Sequence, residues 1–229
     1  MIRYVVFDTE TTGLDPFGGD KIIEIGAVEL LDKTRSGKIY HQLVNPERHI
    51  LQETTDITHI TNEMVANQPT FTAIADDFLA FLNDKSSGCE KTFLVAHNAS
   101  FDIKFLNYEL KLTGREGLSS FEVIDTLELA RKKFPNQKAT LDLLCERFGI
   151  SLEERKREGH GALLDSQILV DVFLKLTEGS FAMSKQDDNI DFIGFKKRTN
   201  VLQSRKFTLS NEELDMHAKF LQENNIESF

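Results

Sequence analysis

Apolar positions along this chain come in two rhythms, short contiguous runs and longer stretches with a three-to-four-residue period, and their order predicts the architecture. Tyr4-Val5-Val6-Phe7 opens a strand, and "KIIEIGAVELL" (Lys21–Leu31) and "KIYHQLVNP" (Lys38–Pro46) read as two more, joined by the polar turn "DKTRSG" into a meander. "PTFTAIADDFLAFLND" then sets Phe71, Ile74, Phe78 and Phe81-Leu82 at helical spacing, and "TFLVAHN" (Thr92–Asn98) is a short apolar strand that feeds a helix. Asn98 or Ser100 can cap that helix, "FDIKFLNYELKLTG", Gly114 can stop it, and "FEVIDT" (Phe121–Thr126) reads as the next strand. "TLELARKKF", "TLDLLCERFGI" and "GALLDSQILVDVFLKLTEG" follow as helices. A meander first, then strands alternating with helices, predicts a mixed α/β sheet covered by helices. From Ser180 the pattern dissolves: "SFAMSKQDDNIDFIGFKKRTNVLQSRKFT" is polar with no sustained period, as in a linker. "SNEELDMHAKFLQENN" closes with a capping box at Ser210 and Glu213 and with Leu214, His217, Ala218 and Leu221 on one helical face. The expected division is a domain over residues 1–178 and a linker with a short helix over 179–229.

At 229 residues the chain has room for one well-buried core and an appendage. Its apolar runs fall short of the ~20 residues a membrane span needs. The N-terminus does not read as a signal peptide, because Arg3 precedes only four apolar residues before Asp8. A cytoplasmic protein without membrane contact is expected. Cys89 and Cys145 lack metal-ligand spacing and read as reduced packing residues. The formal charge of -10 argues against broad electrostatic capture of nucleic acid, so any such contact must be small, metal-assisted or delivered by a partner.

The acids change the picture. Asp8 and Glu10 sit on the same face of the first strand, where two anions repel unless solvent or a cation separates them. A solvated strand end would explain this pair by itself, but two helices repeat the anomaly. Asp102 shares its face with Ala99, Phe105, Leu106 and Leu110, and Asp165 with Ala162, Ile168, Leu169, Val172 and Leu176. Four carboxylates aimed at the core, with no cation in their motifs, call for divalent metal, and hard oxygen donors select Mg²⁺ or Mn²⁺. His160 lies about 140° around a regular helix from Asp165, yet Gly159 and Gly161 bracket it and allow a loop that swings the imidazole toward the acids as a base. His41, His49, His59 and His217 carry no ligand spacing, and His97 is expected to hydrogen-bond at a strand end.

"FDTETTGL", "HNASFDIKFL" and "HGALLDSQIL" resemble the three motifs of the DEDDh 3′-to-5′ exonucleases, in order and at fitting separations, across about residues 1–178. The resemblance implies a ribonuclease H-like fold, with Asp8, Glu10, Asp102 and Asp165 holding two Mg²⁺ or Mn²⁺ ions and His160 as general base. It also implies substrate contacts at Asp8, Thr9, Glu10, Leu14, Glu53, Thr58, Phe101 and Asp165, with Leu14 and Phe101 on the terminal bases and Glu53 at the terminal sugar. Relatives often carry Val-His-Gly-Ile where this chain has "DITHIT", which puts Thr58 at the usual histidine position. The late "SNEELDMHAKFLQ" looks like the tail that ties a proofreading member of the family to the catalytic (alpha) subunit of bacterial DNA polymerase III. A clamp-binding peptide opening with Gln is missing from "GSFAMSK", so contact with the sliding clamp is expected to be weak. The implied substrate is a single-stranded 3′ end of DNA. Alternatives are an RNA 3′-to-5′ exonuclease of the same superfamily, which usually stops near the last core helix, and a non-catalytic adaptor, against which the intact acids and His160 argue.

Overall fold

The computed structural model describes residues 1–178, so the linker and short helix expected over 179–229 lie outside the described residues. Five strands, β1 (Ile2–Thr11), β2 (Ile22–Leu31), β3 (Thr34–Leu43), β4 (Lys91–Ala96) and β5 (Glu122–Asp125), form one sheet in the order β3-β2-β1-β4-β5. β1, β2 and β3 run antiparallel as the expected meander, and β4 and β5 join parallel to β1. The first hairpin is tighter than its polar sequence suggests. Thr34–Gly37 belong to β3, and the turn is only Asp32 and Lys33, both at positive φ (45° and 70°). Two left-handed residues match the strands' twist, and polar side chains suit an exposed edge strand, which is why polarity read as a longer turn.

Eight helices cover the described sheet: α1 (Gln52–Thr58), α2 (Asn62–Val65), α3 (Phe71–Leu82), α4 (Ala99–Leu112), α5 (Thr126–Lys133), α6 (Leu141–Phe148), α7 (Glu153–Glu158) and α8 (Ala162–Thr177). α1, α2 and α7 were not foreseen, being too short to show a period. α3 and α4 pack on one face, where Val5, Phe7, Ile25, Ala27, Leu94, Phe105 and Leu106 share a core. The alternate residues of β1 face α8, and the Tyr4 ring lies 5.3 Å from Phe173 and 5.6 Å from Phe93. Burying a ring such as that of Phe173 contributes roughly 1.5–3 kcal/mol.

The start of α4 is capped differently from expectation. Asn98 sits there in the left-handed conformation without a side-chain cap, and the carboxylate of Asp125, at the end of β5, accepts from the amides of Asn98 (3.0 Å) and Ala99 (3.1 Å). Asp125 also accepts from Leu127 at the start of α5 (2.9 Å). One carboxylate thus satisfies two helix N-termini across neighbouring strands.

α8 lies directly on β2 at Gly26, where a Cβ would come within 2.2 Å of the Leu163 nitrogen and 2.3 Å of the Ala162 carbonyl carbon. Ser166, one turn further on, donates to the Gly26 carbonyl (2.9 Å). Gly26→Ala is therefore expected to push the helix off the sheet and to cost at least about 1–3 kcal/mol. Urea denaturation checks this, and an unchanged midpoint would show that α8 has room to move.

Candidate metal centre

Asp8 and Glu10 lie near the C-terminal end of β1 and face α8, opposite Gly26 and Glu24 of β2 in the register. Asp102 comes from the first turn of α4 and Asp165 from the first turn of α8, both buried at 3% and 4% exposure. Their apolar neighbours on each helix are buried as the periodicity required: Ala99, Phe105, Leu106 and Leu110 on α4, and Ala162, Ile168, Leu169, Val172 and Leu176 on α8. Thr9 points to the α4 side and fixes Asp102, its amide (3.0 Å) and hydroxyl (2.7 Å) both donating to Oδ1.

This packing confines negative charge. Burial, followed by Asp102, Glu10, Asp165 and Glu24, drives the Asp8 carboxyl well above the usual range. Glu10 is pushed up to about 8, by burial first and then by Asp165, Glu24 and Asp102, with Arg155 opposing. Burial pushes Asp102 up to about 7 against the hydrogen bonds from Thr9. Glu10, His160 and Asp165 each bring a ligand-type atom within 4.8 Å of the others. An oxygen-rich, mutually repelling set of this kind fits a hard divalent cation.

The structure corrects one expectation: a cation does reach the acids. Arg155 of α7 forms a fork on Asp165, Nε to Oδ1 at 2.6 Å and a terminal nitrogen to Oδ2 at 2.9 Å. The same guanidinium donates to His160 Nδ1 (2.8 Å) and pairs with Asp142. Sequence could not flag it, because Arg155 sits in "LEERKRE", a charge run that looks like a solvated face.

His160 occupies the loop between α7 and α8, as the flanking glycines suggested. Its amide donates to the Ile57 carbonyl (3.2 Å) and its half-exposed ring places Nδ1 3.6 Å from Asp165 Oδ2. Gly159, at φ 83°, lets the loop close on α1, since a Cβ there would meet the His59 ring at 2.6 Å. Glu24 is a second residue that sequence reading missed. Its Oε2 accepts from the Ala162 amide (2.8 Å) and its Oε1 bonds His41 Nε2 (2.7 Å), so β2 caps the helix that carries Asp165. An acid inside the apolar run "KIIEIGAVELL" was the available signal. His97 bonds Thr126 Oγ1 at a strand end (2.9 Å), as expected.

The other candidate residues divide in two. Leu14 is 78% exposed on the loop after β1, tied to α4 by Lys104 Nζ on its carbonyl (3.1 Å). Phe101 is half-buried with its ring 5.0 Å from Phe105, and Glu53 is exposed on the first turn of α1. These three offer surface to a ligand. The hydroxyl of Thr58 is buried, donating to the Thr54 carbonyl (3.0 Å) and accepting from the Ile60 amide (3.2 Å), and that of Thr9 is committed to Asp102.

The sequence model of the exonuclease family matches residues 5–173, and the chain belongs to that family. Within the family, it is 40% identical over 233 residues to the DNA polymerase III subunit epsilon of Rickettsia prowazekii, covering 96% of each chain. Among solved structures it resembles exonuclease X in complex with 5′ overhanging duplex DNA (TM-score 0.56, 28% identity, 77% of this chain and 91% of that one). The fold also matches the nuclease domain of 3′hExo, a DEDDh family member bound to rAMP (TM-score 0.64, 21% identity, 76% and 90% covered). The five-stranded mixed sheet is thus the ribonuclease H-like fold of these nucleases, and membership implies use of divalent metal.

Two outcomes follow from the electrostatics. With Glu10 raised to about 8 and Asp102 to about 7, against about 4 in an unfolded chain, the metal-free fold binds more protons than the unfolded chain between about pH 4 and 8. Its stability should fall as pH rises through that window. Scanning calorimetry in chelator should show a declining Tm from about pH 5 to 8, and Mn²⁺ should restore more at the upper end; a flat profile would contradict the crowding. Arg155→Ala should weaken the metal-free fold while tightening Mn²⁺ binding by up to about tenfold in titration calorimetry, because an ion on Asp165 must displace the guanidinium. Weaker Mn²⁺ binding would mean that Arg155 supports the occupied site instead.

Proposed function

We propose that the chain is a 3′-to-5′ DNA exonuclease that removes mismatched 3′-terminal nucleotides as the proofreading subunit of a bacterial DNA polymerase III. One observation supports the reading: Asp8, Glu10, Asp102 and Asp165 crowd one another electrostatically, with His160 beside Glu10 and Asp165, in a chain matched over nearly its whole length by an epsilon subunit. The same match favours DNA over RNA as the substrate.

Asp8, Glu10, Asp102 and Asp165 would hold two Mg²⁺ or Mn²⁺ ions, which when bound supply Lewis-acid stabilisation of the attacking water and of the leaving 3′ oxygen. His160, on the open side of the centre, takes the proton of that water at a ring nitrogen once Arg155 releases it. Leu14 and Phe101 pack against the terminal bases and Glu53 meets the terminal sugar, so only a frayed single-stranded end fits, and each cycle releases a nucleoside 5′-monophosphate. Thr9 serves by holding Asp102, and Thr58 by shaping the end of α1 beneath the His160 loop.

Residues 1–178 form the catalytic domain in this reading, and 179–229 act as linker and docking tail for the catalytic (alpha) subunit, with at most weak contact to the sliding clamp. Leu214, Ala218 and Leu221 supply helix-in-groove anchors. The assembly works in the cytoplasm, and no described helix is long and apolar enough to cross a membrane.

The test is hydrolysis of a primer-template with a mismatched 3′ end, beside a short RNA, in Mg²⁺ or Mn²⁺. DNA is expected to yield 5′-monophosphates faster than RNA. Asp165→Ala should abolish the activity, and His160→Ala should lower it by roughly 10²- to 10⁴-fold with Mn²⁺ affinity nearly intact. Folded Asp165→Ala protein working at the parent rate would refute the site, and preference for RNA would refute the substrate.

A further inference from the structure

The metal centre lies between two unlike surfaces. On one side are exposed apolar side chains, Leu14 and Phe17 after β1 and Leu51 and Ile57 around α1, between 51% and 78% exposed. On the other side a cleft of about 640 Å³ opens between the end of β4, α5 and the loop before α6. His97, Asn98, Arg131, Asn136, Gln137 and Lys138 contribute to its lining, which includes no Asp or Glu. That is unusual in a chain of formal charge -10. Among the described residues neither Arg131 nor Lys138 has an ion-pair partner. The nearby Asp125 carboxylate is committed to three amides.

The cleft is held in shape. His97, in the cleft wall, bonds Thr126 Oγ1 (2.9 Å), which ties the end of β4 to the start of α5. Arg147 donates to Gln137 Oε1 (2.5 Å) and lies 4.2 Å from the Phe134 ring centroid. Both walls lead to the metal centre. Asn98 immediately precedes α4, whose first turn carries Asp102, and Thr140 caps α6, whose Asp142 pairs with the Arg155 that grips Asp165.

We propose that this cleft takes the sugar-phosphate backbone of the single strand upstream of the nucleotides being removed. The inference rests on the nuclease reading and adds the direction of the strand: terminal bases lie toward the apolar rim, and preceding phosphates run past Lys138 and Arg131. Two unpaired cations flanked by amide donors match successive phosphodiesters without reading sequence. They also supply, at one place, the electrostatic attraction that the net charge of the protein denies elsewhere.

The test is fluorescence anisotropy with the full chain and 5′-labelled oligo-dT of two to about twelve nucleotides in chelator, alongside hydrolysis of the same oligonucleotides in Mn²⁺. Arg131→Glu with Lys138→Glu should weaken binding of the longest oligonucleotide by roughly tenfold or more, with a deficit that grows with length. The salt dependence should drop by about 0.7 per lost contact on a logarithmic scale. Lys85→Glu with Lys111→Glu, in the loop before β4 and in the last turn of α4, changes the net charge by the same amount away from the cleft and should bind as the parent does. The proposal is overturned if the double variant, folded by its Tm, matches the parent at every length, as it would if the cleft served an acidic protein segment, or if the loss is the same at two nucleotides as at twelve. A parent chain that binds oligonucleotides without hydrolysing them would instead overturn the catalytic reading, and the binding series would still decide the cleft.

Discussion

Repulsion among buried and half-buried carboxylates is the constraint that organises this molecule. Asp8, Glu10, Asp102 and Asp165 come from three elements, and Glu24 adds a fifth negative group, so folding gathers charges that would separate in water. Confinement of this kind is tolerated only where the packing of surrounding elements outweighs it, and it favours whatever cation can enter. Without metal, Arg155 relieves part of the strain at Asp165, and protons are drawn onto Asp8, Glu10 and Asp102.

The scaffold that imposes this confinement is stiff where it must be. Gly26 lets α8 rest on β2 at backbone distance, Ser166 holds it there, and Glu24 caps its first turn from the sheet. Asp125 does the same for α4. Each acid-bearing helix therefore begins at a carboxylate supplied by a strand, so the positions of Asp102 and Asp165 derive from the sheet rather than from the helices' own sequences. The His160 loop is held more lightly, by one amide bond to Ile57 and by Arg155, which suits a base whose proton must come and go.

The surfaces around the centre divide the work of recognition. Apolar side chains exposed on one side suit stacking, which tolerates any base. The cleft of Arg131 and Lys138 suits a charged backbone, and its restriction to one place keeps an acidic protein from binding nucleic acid at large.

The sequence by itself determined the three-strand meander, the mixed α/β class, the long helices and the four acids, because strand alternation and helical periodicity make a carboxylate on an apolar face visible without coordinates. Glycines on either side of His160 likewise announced a loop. Tertiary structure alone decided the rest. Arg155 sits in a charged run whose local pattern matches a solvated helix, and only the fold turns it onto Asp165. Arg3, a lone charge ahead of the apolar run of β1, is fully buried against Glu29 and the carbonyls ending α3, partners that lie far from it in sequence. The cap of α4 comes from Asp125, some two dozen residues beyond it, and that of α8 from Glu24 at the other end of the domain. Periodicity reports which face a side chain takes on its own element, but pairing partners are set by which elements the sheet brings together, and those contacts are distant in sequence.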